Sequence, residues 1–189
     1  MRLFLAALML SASTVPAMAQ EAAMTEAAEV PELTFERVFA SPSLDGSSPR
    51  GVKISPDGRY LTLLRNREDD RDRYDLWAFD REAREWTMLV DSETVGSGRE
   101  LSEDEKMQRE RARVGNLKGI ITYQWAPDGE GLLVPLDGDL YLARLDGSVT
   151  RLTDTEESEL NPTLSEEGGF VSFVRDRQLW VGAVGEAAQ

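Results

Sequence analysis

Short apolar runs separated by polar turns recur along the chain after about residue 50. A four-residue extended stretch, a turn and an apolar strand follow one another three times, and the turn strings are Ser55–Gly58, Ala126–Gly129 and Ser165–Gly168. In the first two strings, Pro presets the first turn position, Asp bonds its own backbone and Gly takes the positive φ. Strands of about five residues on either side of such a turn pair as a hairpin. The pattern therefore predicts repeated antiparallel hairpins.

A Leu-aromatic pair follows each of these hairpins and begins a further strand. The pairs are Leu76-Trp77, Leu140-Tyr141 and Leu179-Trp180. A polar turn and an outer strand, as in 149–153, complete a unit of four strands. Four strands at a period near 40 residues are typical of a propeller blade. We therefore predict an all-β fold over residues 33–189, a partial β-propeller of about two to three four-stranded antiparallel blades. Trp77, Trp125, Trp180 and Tyr141 are expected in the cores of the blades.

One polar α-helix is inserted between the first two repeats. The first two turn strings start 71 residues apart, whereas the second and third start 39 apart. Ser102 and Glu105 have the spacing of a capping box, and strong helix formers follow. The spacing predicts a helix over 103–113, within an insert at 102–114. Since it has almost no apolar face, we expect it to lie exposed on the propeller.

The N-terminus has the pattern of a secretory signal peptide over residues 1–19. Arg2 precedes a short apolar run, and Ala17-Met18-Ala19 gives an A-x-A cleavage site before Gln20. A buried N-terminal helix would not explain that ending. Residues 20–32 are rich in Ala and Glu and read as a disordered acidic spacer, with a short helix as the alternative. We expect an exported protein, periplasmic or secreted, with no membrane span after signal cleavage.

The composition of the chain argues against several kinds of catalytic, metal and nucleic-acid-binding site. The chain has no Cys and no His, and its formal net charge is -14. Without His it cannot hold a Ser-His-Asp triad of its own, and a structural zinc site is excluded in practice. The acidity argues against nucleic acid as a partner. We predict no cofactor and no metal site. The acids Asp69, Asp70, Asp72 and Asp75 could hold calcium, but the interleaved arginines favour a solvated hairpin tip.

The order of these elements resembles a known family. An x-P-D-G blade is followed by the polar helix LSEDEKMQRERARVGN and then by GIITYQWAPDGEGLLVPLDGDLYL. This order is similar to the N-terminal propeller of bacterial dipeptidyl peptidase IV-like enzymes of the prolyl oligopeptidase family, over about residues 33–181. The helix and the Y-x-W-x-P-D-G strand are the more specific part of the resemblance.

The resemblance implies a serine exopeptidase that removes N-terminal Xaa-Pro or Xaa-Ala dipeptides. Its catalytic residues would lie in a C-terminal α/β-hydrolase domain, so we expect none in this chain. A family arginine reaches the substrate backbone, and the matching segment makes Arg109 and Arg111 the candidate substrate-binding residues. The alternative for both is a solvated helix face, with Glu105 paired to Arg109 at i,i+4.

The strand count predicts that the chain stops inside its third blade. Leu140 precedes Leu152 of the outer strand by twelve residues, and the same offset from Leu179 passes Gln189. We therefore expect a fragment, a split gene product or a truncated form of a longer peptidase, inactive alone. The alternative function is a stand-alone exported propeller that binds other proteins of the cell envelope.

Overall fold

Three sheets follow one another in the described part of the chain, and in each the main strands pair antiparallel in sequence order. Blade 1 contains β1 (Arg50–Ile54), β2 (Tyr60–Asn66), β3 (Arg73–Asp80) and β4 (Glu85–Val90). The short β5 (Lys118–Gly119) adds to the start of β3 in parallel. Blade 2 contains β6 (Gln124–Trp125), β7 (Gly131–Leu136), β8 (Asp139–Arg144) and β9 (Val149–Arg151). Blade 3 contains β10 (Leu160–Leu164), β11 (Phe170–Arg175) and β12 (Gln178–Ala183). The fold is a partial β-propeller, as the repeat predicts.

The computed structural model describes residues 33–40, 44 and 46–184. The predicted signal peptide and spacer lie outside the described residues. Within these ranges three helices accompany the blades: α1 (Phe35–Phe39), α2 (Ser92–Val95) and α3 (Glu103–Arg111). The described part of the segment before residue 51 forms α1 and then enters β1. No helix within the described ranges is long and apolar enough to cross a membrane.

The repeated turn strings form the same β-turn in all three blades. In each, the glycine N–H donates to the carbonyl oxygen three residues earlier at 2.9 Å. The glycine φ is +74°, +74° and +72° in Gly58, Gly129 and Gly168. Successive turns also touch, since an added Cβ on Gly129 would lie 3.5 Å from Pro56 Cδ, and one on Gly168 would lie 3.6 Å from Pro127 Cδ. The sequence prediction for these turns is confirmed.

Blade 2 is covered on both faces, which explains the unbroken apolar run of β7. Successive side chains of a strand point to opposite faces. Leu132 and Val134 belong to the core shared with blade 1, whereas Leu133 belongs to the core shared with blade 3. Leu132 and Leu133 are 0% and 1% exposed. Burial of a side chain of this size stabilises the fold by about 1.5 to 3 kcal/mol.

The outer faces of blades 1 and 3 remain open within the described chain. Exposed large apolar side chains on these blades include Ile54, Trp86 and Met88 in blade 1, and Phe170, Leu179 and Val181 in blade 3. The aromatic prediction is therefore confirmed only in part. Trp125 and Tyr141 are buried in blade 2, but Trp77 is half-buried and Trp180 is 41% exposed. Trp77 lies opposite Leu63 on the open face of blade 1, whereas Trp180 lies opposite the buried Phe173 but on the last described strand, β12.

Candidate functional site

Helix α3 starts at the capping box that the sequence predicts. Ser102 Oγ accepts from the Glu105 backbone N–H at 3.2 Å, and Glu105 Oε2 accepts from the Ser102 N–H at 3.2 Å. Acidic residues occupy the first turn and arginines the last, and these charges interact favourably with the helix dipole. The helix ends at Arg111, two residues before the predicted end.

The helix lies largely exposed, as expected, but one face of it is docked through polar side chains. Glu105 and Arg109 are 8% and 5% exposed. Ser158 Oγ, between blades 2 and 3, donates to Glu105 Oε2 at 2.7 Å. Gln108 Nε2 donates to Asn161 Oδ1 on β10. The helix therefore joins blade 3 through hydrogen bonds, a form of docking that hydrophobic periodicity does not detect.

A cleft of about 600 Å³ lies beside this helix. Its walls come from α3, from residues 121–124 before and within β6, and from residues 159–163 before and within β10. The first residue of β1, Arg50, also lines it. Apolar side chains such as Ile121 and Pro162 alternate there with polar ones. A mixed lining of this kind, with a few positioned polar groups, is typical of ligand-binding clefts.

Arg109 lies in the wall of this cleft and also borders a second groove near Lys118. Its Nη1 donates to the Leu117 carbonyl oxygen at 2.8 Å, the sole hydrogen bond of its guanidinium within the described ranges. Burial lowers the pKa of Arg109, and the negative charges of Glu105 and Asp137 oppose that shift. The side chain stays charged at neutral pH because an arginine is not deprotonated in proteins. The interaction with Glu105 is through space, with no ion pair between them.

Arg111 faces a different groove. It lines a space of about 550 Å³ between α3 and blade 3, together with Met107 and Arg177. Its Nη2 lies 3.3 Å from Met107 Sδ, and the residue is exposed. The two candidate arginines are two positions apart on the helix and therefore point in different directions. The structure places Arg109 in the cleft beside the first strands of the blades, β1, β6 and β10, which we call the inner strands. It places Arg111 outside this cleft.

The inner strands of blades 1 and 3 carry a bulge at the same place in the repeat. Gly51 and Asn161 each lie four residues before their turn strings, and both have positive φ, +58° and +51°. The pairing register of both strands shifts there. Each bulge is held by a side chain from elsewhere: Tyr123 Oη donates to the Gly51 carbonyl oxygen at 2.5 Å, and Gln108 holds Asn161. Asn tolerates the left-handed region better than most residues.

The acidic cluster of the β2–β3 hairpin is divided among separate partners. Asp70 Oδ2 lies 3.0 Å from Lys118 Nζ, and Asp75 Oδ2 accepts from Arg67 Nε at 2.8 Å. Asp72 Oδ1 accepts from Asn116 Nδ2 at 3.4 Å. Across the described part of the chain, no group of three or more acids is arranged to hold a metal ion.

A buried aspartate recurs in blades 1 and 2, in a role that the sequence prediction for Asp75 did not include. Asp75 and Asp139 each precede the Leu-aromatic pair, and both are buried. Asp75 Oδ1 accepts from the Ser92 N–H at 2.8 Å, and Asp139 Oδ1 accepts from the Thr155 N–H at 3.4 Å. Each aspartate also pairs with an arginine and fixes the chain beyond the outer strand. The signal was the motif Asp-Leu-aromatic, which is Gln178-Leu-Trp in the third repeat.

Comparison with known proteins adds weak structural likenesses. No protein-family model matches the chain. A protein designated TolB from Agrobacterium tumefaciens has a TM-score of 0.45 and 21% identity, over 71% of this chain and 44% of its own length. Oligogalacturonate lyase from Vibrio parahaemolyticus has a TM-score of 0.44 and 10% identity, over 65% of this chain and 27% of its own length. Tricorn protease has a TM-score of 0.43 and 14% identity, over 66% of this chain and 10% of its own length. The chain thus spans less than half the length of these proteins, and the assignment of the fold depends on its own three blades.

Proposed function

We propose that this chain is the N-terminal propeller segment of a dipeptidyl peptidase IV-like serine exopeptidase that works outside the cytoplasm. In such a parent enzyme, the propeller would bind a peptide and gate its access to an α/β-hydrolase domain. The order of blade, polar helix and Y-x-W-x-P-D-G strand supports this assignment. The chain itself contains no histidine, so hydrolysis through a Ser-His-Asp triad would need residues from that further domain.

The observation that carries the proposal is the state of Arg109. Its residue is 5% exposed, yet one hydrogen bond to Leu117 is all that its guanidinium makes within the described ranges. A guanidinium offers five donors in a rigid fork. The remaining donors suit the carbonyl oxygens of an extended peptide lying in the cleft. Binding to a fixed, buried donor orients the peptide backbone without selecting its sequence.

The walls of the cleft supply the other half of peptide recognition. Ile121, Leu160 and Pro162 offer apolar surface for side chains, and Gln124 and Thr163 offer polar groups for the backbone. Of these residues all but Ile121 lie on β6 or β10, which pair within their blades, so most of the geometry is set before a peptide arrives. Preorganised sites lose less entropy on binding.

Peptide binding by the purified chain tests the proposal. The probe is Ala-Pro-Ala-Lys with fluorescein on the lysine side chain and a free N-terminus, followed by fluorescence anisotropy. We expect saturable binding that Arg109→Gln weakens by about tenfold or more, as loss of a charge-assisted hydrogen bond implies. Arg111→Gln removes the same charge from the same helix and is expected to leave the affinity within about twofold, because rim charges contribute little.

A second variant distinguishes loss of peptide binding from misfolding of the chain. Arg109→Lys keeps the charge but loses the fork, so it should bind more weakly than the unchanged chain while its circular dichroism stays the same. Equal affinity of the Arg109 and Arg111 variants would contradict the proposal, and so would an unchanged chain that binds no peptide. Cleavage of Ala-Pro p-nitroanilide by the purified chain would contradict its non-catalytic role.

The second candidate function is a protein-binding module of the cell envelope. The exposed apolar side chains of the open blade faces favour it, since contiguous apolar surface often marks an interface. Affinity purification from an envelope extract, after chemical cross-linking, distinguishes the two. A stoichiometric protein partner whose binding is lost in Trp86→Lys but kept in Arg109→Gln would favour this second function.

A further inference from the structure

Arg50 brings a second guanidinium to the cleft, from blade 1. It is the first residue of β1, is exposed and lines the same cleft as Arg109. Its Cζ lies 6.0 Å from the centroid of the Tyr74 ring, at the outer limit of a cation–π contact. Across the described residues, no carboxylate forms an ion pair with it. The cleft therefore contains an arginine whose charge forms no ion pair with any described carboxylate.

The carboxylates of the same cleft are already engaged. Glu105 accepts from Ser158, and Asp137 Oδ2 accepts from the Gly98 N–H at 2.9 Å. Glu159 Oε1 accepts from Arg175 Nε at 3.0 Å and has a fully buried side chain. Glu105 and Asp137 also attract the Arg109 guanidinium. Arg109 is thus compensated in place, whereas Arg50 has no ion pair with the described carboxylates of the lining.

The backbone beneath Arg50 is held firmly although its side chain is exposed. The next residue, Gly51, forms the bulge of β1, and Tyr123 of blade 2 holds its carbonyl oxygen at 2.5 Å. A Cβ on Gly51 would lie 3.5 Å from Tyr123 Cε1, so the two blades are in close contact there. Arg50 is therefore an exposed charged group on a fixed base, which suits capture of a charge on a bound ligand.

We propose that Arg50 makes the cleft select peptides that carry a carboxylate. The two guanidiniums would divide the recognition: the buried, compensated Arg109 binds a neutral backbone carbonyl, and the exposed Arg50 pairs with an anionic group. An Asp or Glu side chain and the peptide's C-terminal carboxylate share this chemistry, because both match the guanidinium fork. This inference rests on the proposed function of the cleft as a peptide site and adds the class of peptide that it prefers.

Three matched peptides test the preference by competition against the fluorescein probe. They are Ala-Pro-Glu-Ala amide, Ala-Pro-Gln-Ala amide and Ala-Pro-Gln-Ala with a free C-terminal carboxylate. We expect the purified chain to bind the Glu amide or the free acid about fivefold tighter than the Gln amide, the range of a partly exposed ion pair. The tighter of the two identifies the carboxylate that Arg50 contacts. The preference should fall as NaCl is raised, because salt screens exposed charges.

Arg50→Gln provides the variant and Arg144→Gln its control. Arg144 is an exposed strand residue outside the cleft, so this control loses the same charge from the chain. We expect Arg50→Gln to abolish the preference while the Gln amide binds within about twofold of its original affinity. We expect Arg144→Gln to keep the preference.

The outcomes separate this inference from the function on which it rests. If the unchanged chain binds all three peptides equally, or if Arg50→Gln keeps the preference, the role of Arg50 is wrong and the peptide cleft stands. If the unchanged chain binds none of the peptides, the cleft is not a peptide site and both proposals fall. If both arginine variants lose the preference equally, the effect comes from net charge, and the assignment to Arg50 is overturned.

Discussion

Trp125 Nε1 donates to Thr62 Oγ1 at 3.0 Å, across the interface between blades 2 and 1. Thr62 is fully buried, and its hydroxyl also lies 3.0 Å from Tyr123 Oη. The Tyr123 hydroxyl donates to the Gly51 carbonyl oxygen at 2.5 Å. The Thr62 hydroxyl itself donates to the Lys53 carbonyl oxygen of β1 at 3.4 Å. A chain of hydrogen bonds thus links the indole of blade 2, through Thr62, to β1 of blade 1.

Thr62→Val should break this chain at its centre. The substitution keeps the shape of the side chain but leaves the Trp125 N–H without an acceptor in a buried site. An unsatisfied buried donor costs about 1 to 3 kcal/mol, so we expect about 2 kcal/mol less free energy of unfolding in urea. Thr150→Val, on the exposed face of β9, is the control and should change stability by less than about 0.5 kcal/mol. Equal effects of the two substitutions would contradict the assignment.

Tyr123 should make the fold sensitive to alkaline pH. Burial raises the pKa of its hydroxyl from the ordinary value of 10.0 to about 12, and the hydrogen bond with Thr62 opposes part of that shift. A raised pKa means that the folded state holds the proton more tightly. The stabilisation is therefore complete below about pH 10 and is lost as pH rises towards 12. Two pKa units correspond to about 2.7 kcal/mol.

Urea unfolding between pH 9 and pH 12 measures this loss directly. In Tyr123→Phe the alkaline loss should shrink to a fraction of its original size. A residual loss is expected, because burial also raises the pKa of Tyr141. If stability fell equally steeply in the variant, Tyr123 would not be the titrating group that matters.

The repeat made the blades predictable, because each of its signals is local. Pro, Asp and Gly specify the turn chemically, so Gly129 and Gly58 have the conformation that their strings predict. The start of α3 was predictable for the same reason, since Ser102 and Glu105 satisfy one another within one turn. Features determined by residues close in sequence were thus readable without a structure.

The cleft could not be predicted in the same way, because distant residues build it. The buried face of α3 consists of Glu105 and Arg109, which a hydropathy pattern assigns to solvent. Their burial depends on Ser158 and the Leu117 carbonyl, and the first of these is 53 residues away. The sequence placed both Arg109 and Arg111 on the helix, but choosing between them required knowing which side of α3 faces the inner strands.

Asp139 should contribute strongly to the stability of the fold, because it holds β9, the outer strand of blade 2. Its side chain is fully buried, and Arg151 Nη2 donates to its Oδ2 at 2.6 Å. Asp139→Asn keeps the shape of the side chain but removes its charge. Because Arg151 is 36% exposed and also pairs with Asp154, we expect a loss of about 1.5 kcal/mol, the lower end for a hydrogen bond to a charged group. Asp154 pairs with the same arginine at 2.8 Å but is 79% exposed. Asp154→Asn is therefore the control, expected to cost less than about 0.5 kcal/mol, and comparable losses in thermal unfolding would refute the role of burial.

Arg177→Gly should stabilise the chain, unlike most substitutions of a long side chain by glycine. The two-residue turns Asp137-Gly138 and Asp176-Arg177 join equivalent strands of blades 2 and 3, and all four residues have positive φ. This turn type favours Gly at its second central position, where a non-glycine residue costs about 1 kcal/mol or more.

We expect Arg177→Gly to raise the free energy of unfolding by about 0.5 to 1 kcal/mol, after allowance for the greater freedom of glycine in the unfolded chain. Arg144→Gly on β8 is the matched control and should lower it by about 0.5 to 1 kcal/mol, because glycine weakens a strand. Urea unfolding of the two variants beside the unchanged chain measures both signs. If Arg177→Gly also destabilised the chain, the left-handed backbone at residue 177 would not be a source of strain, and contacts of the arginine side chain in the groove beside Arg111 would outweigh the conformation of the turn.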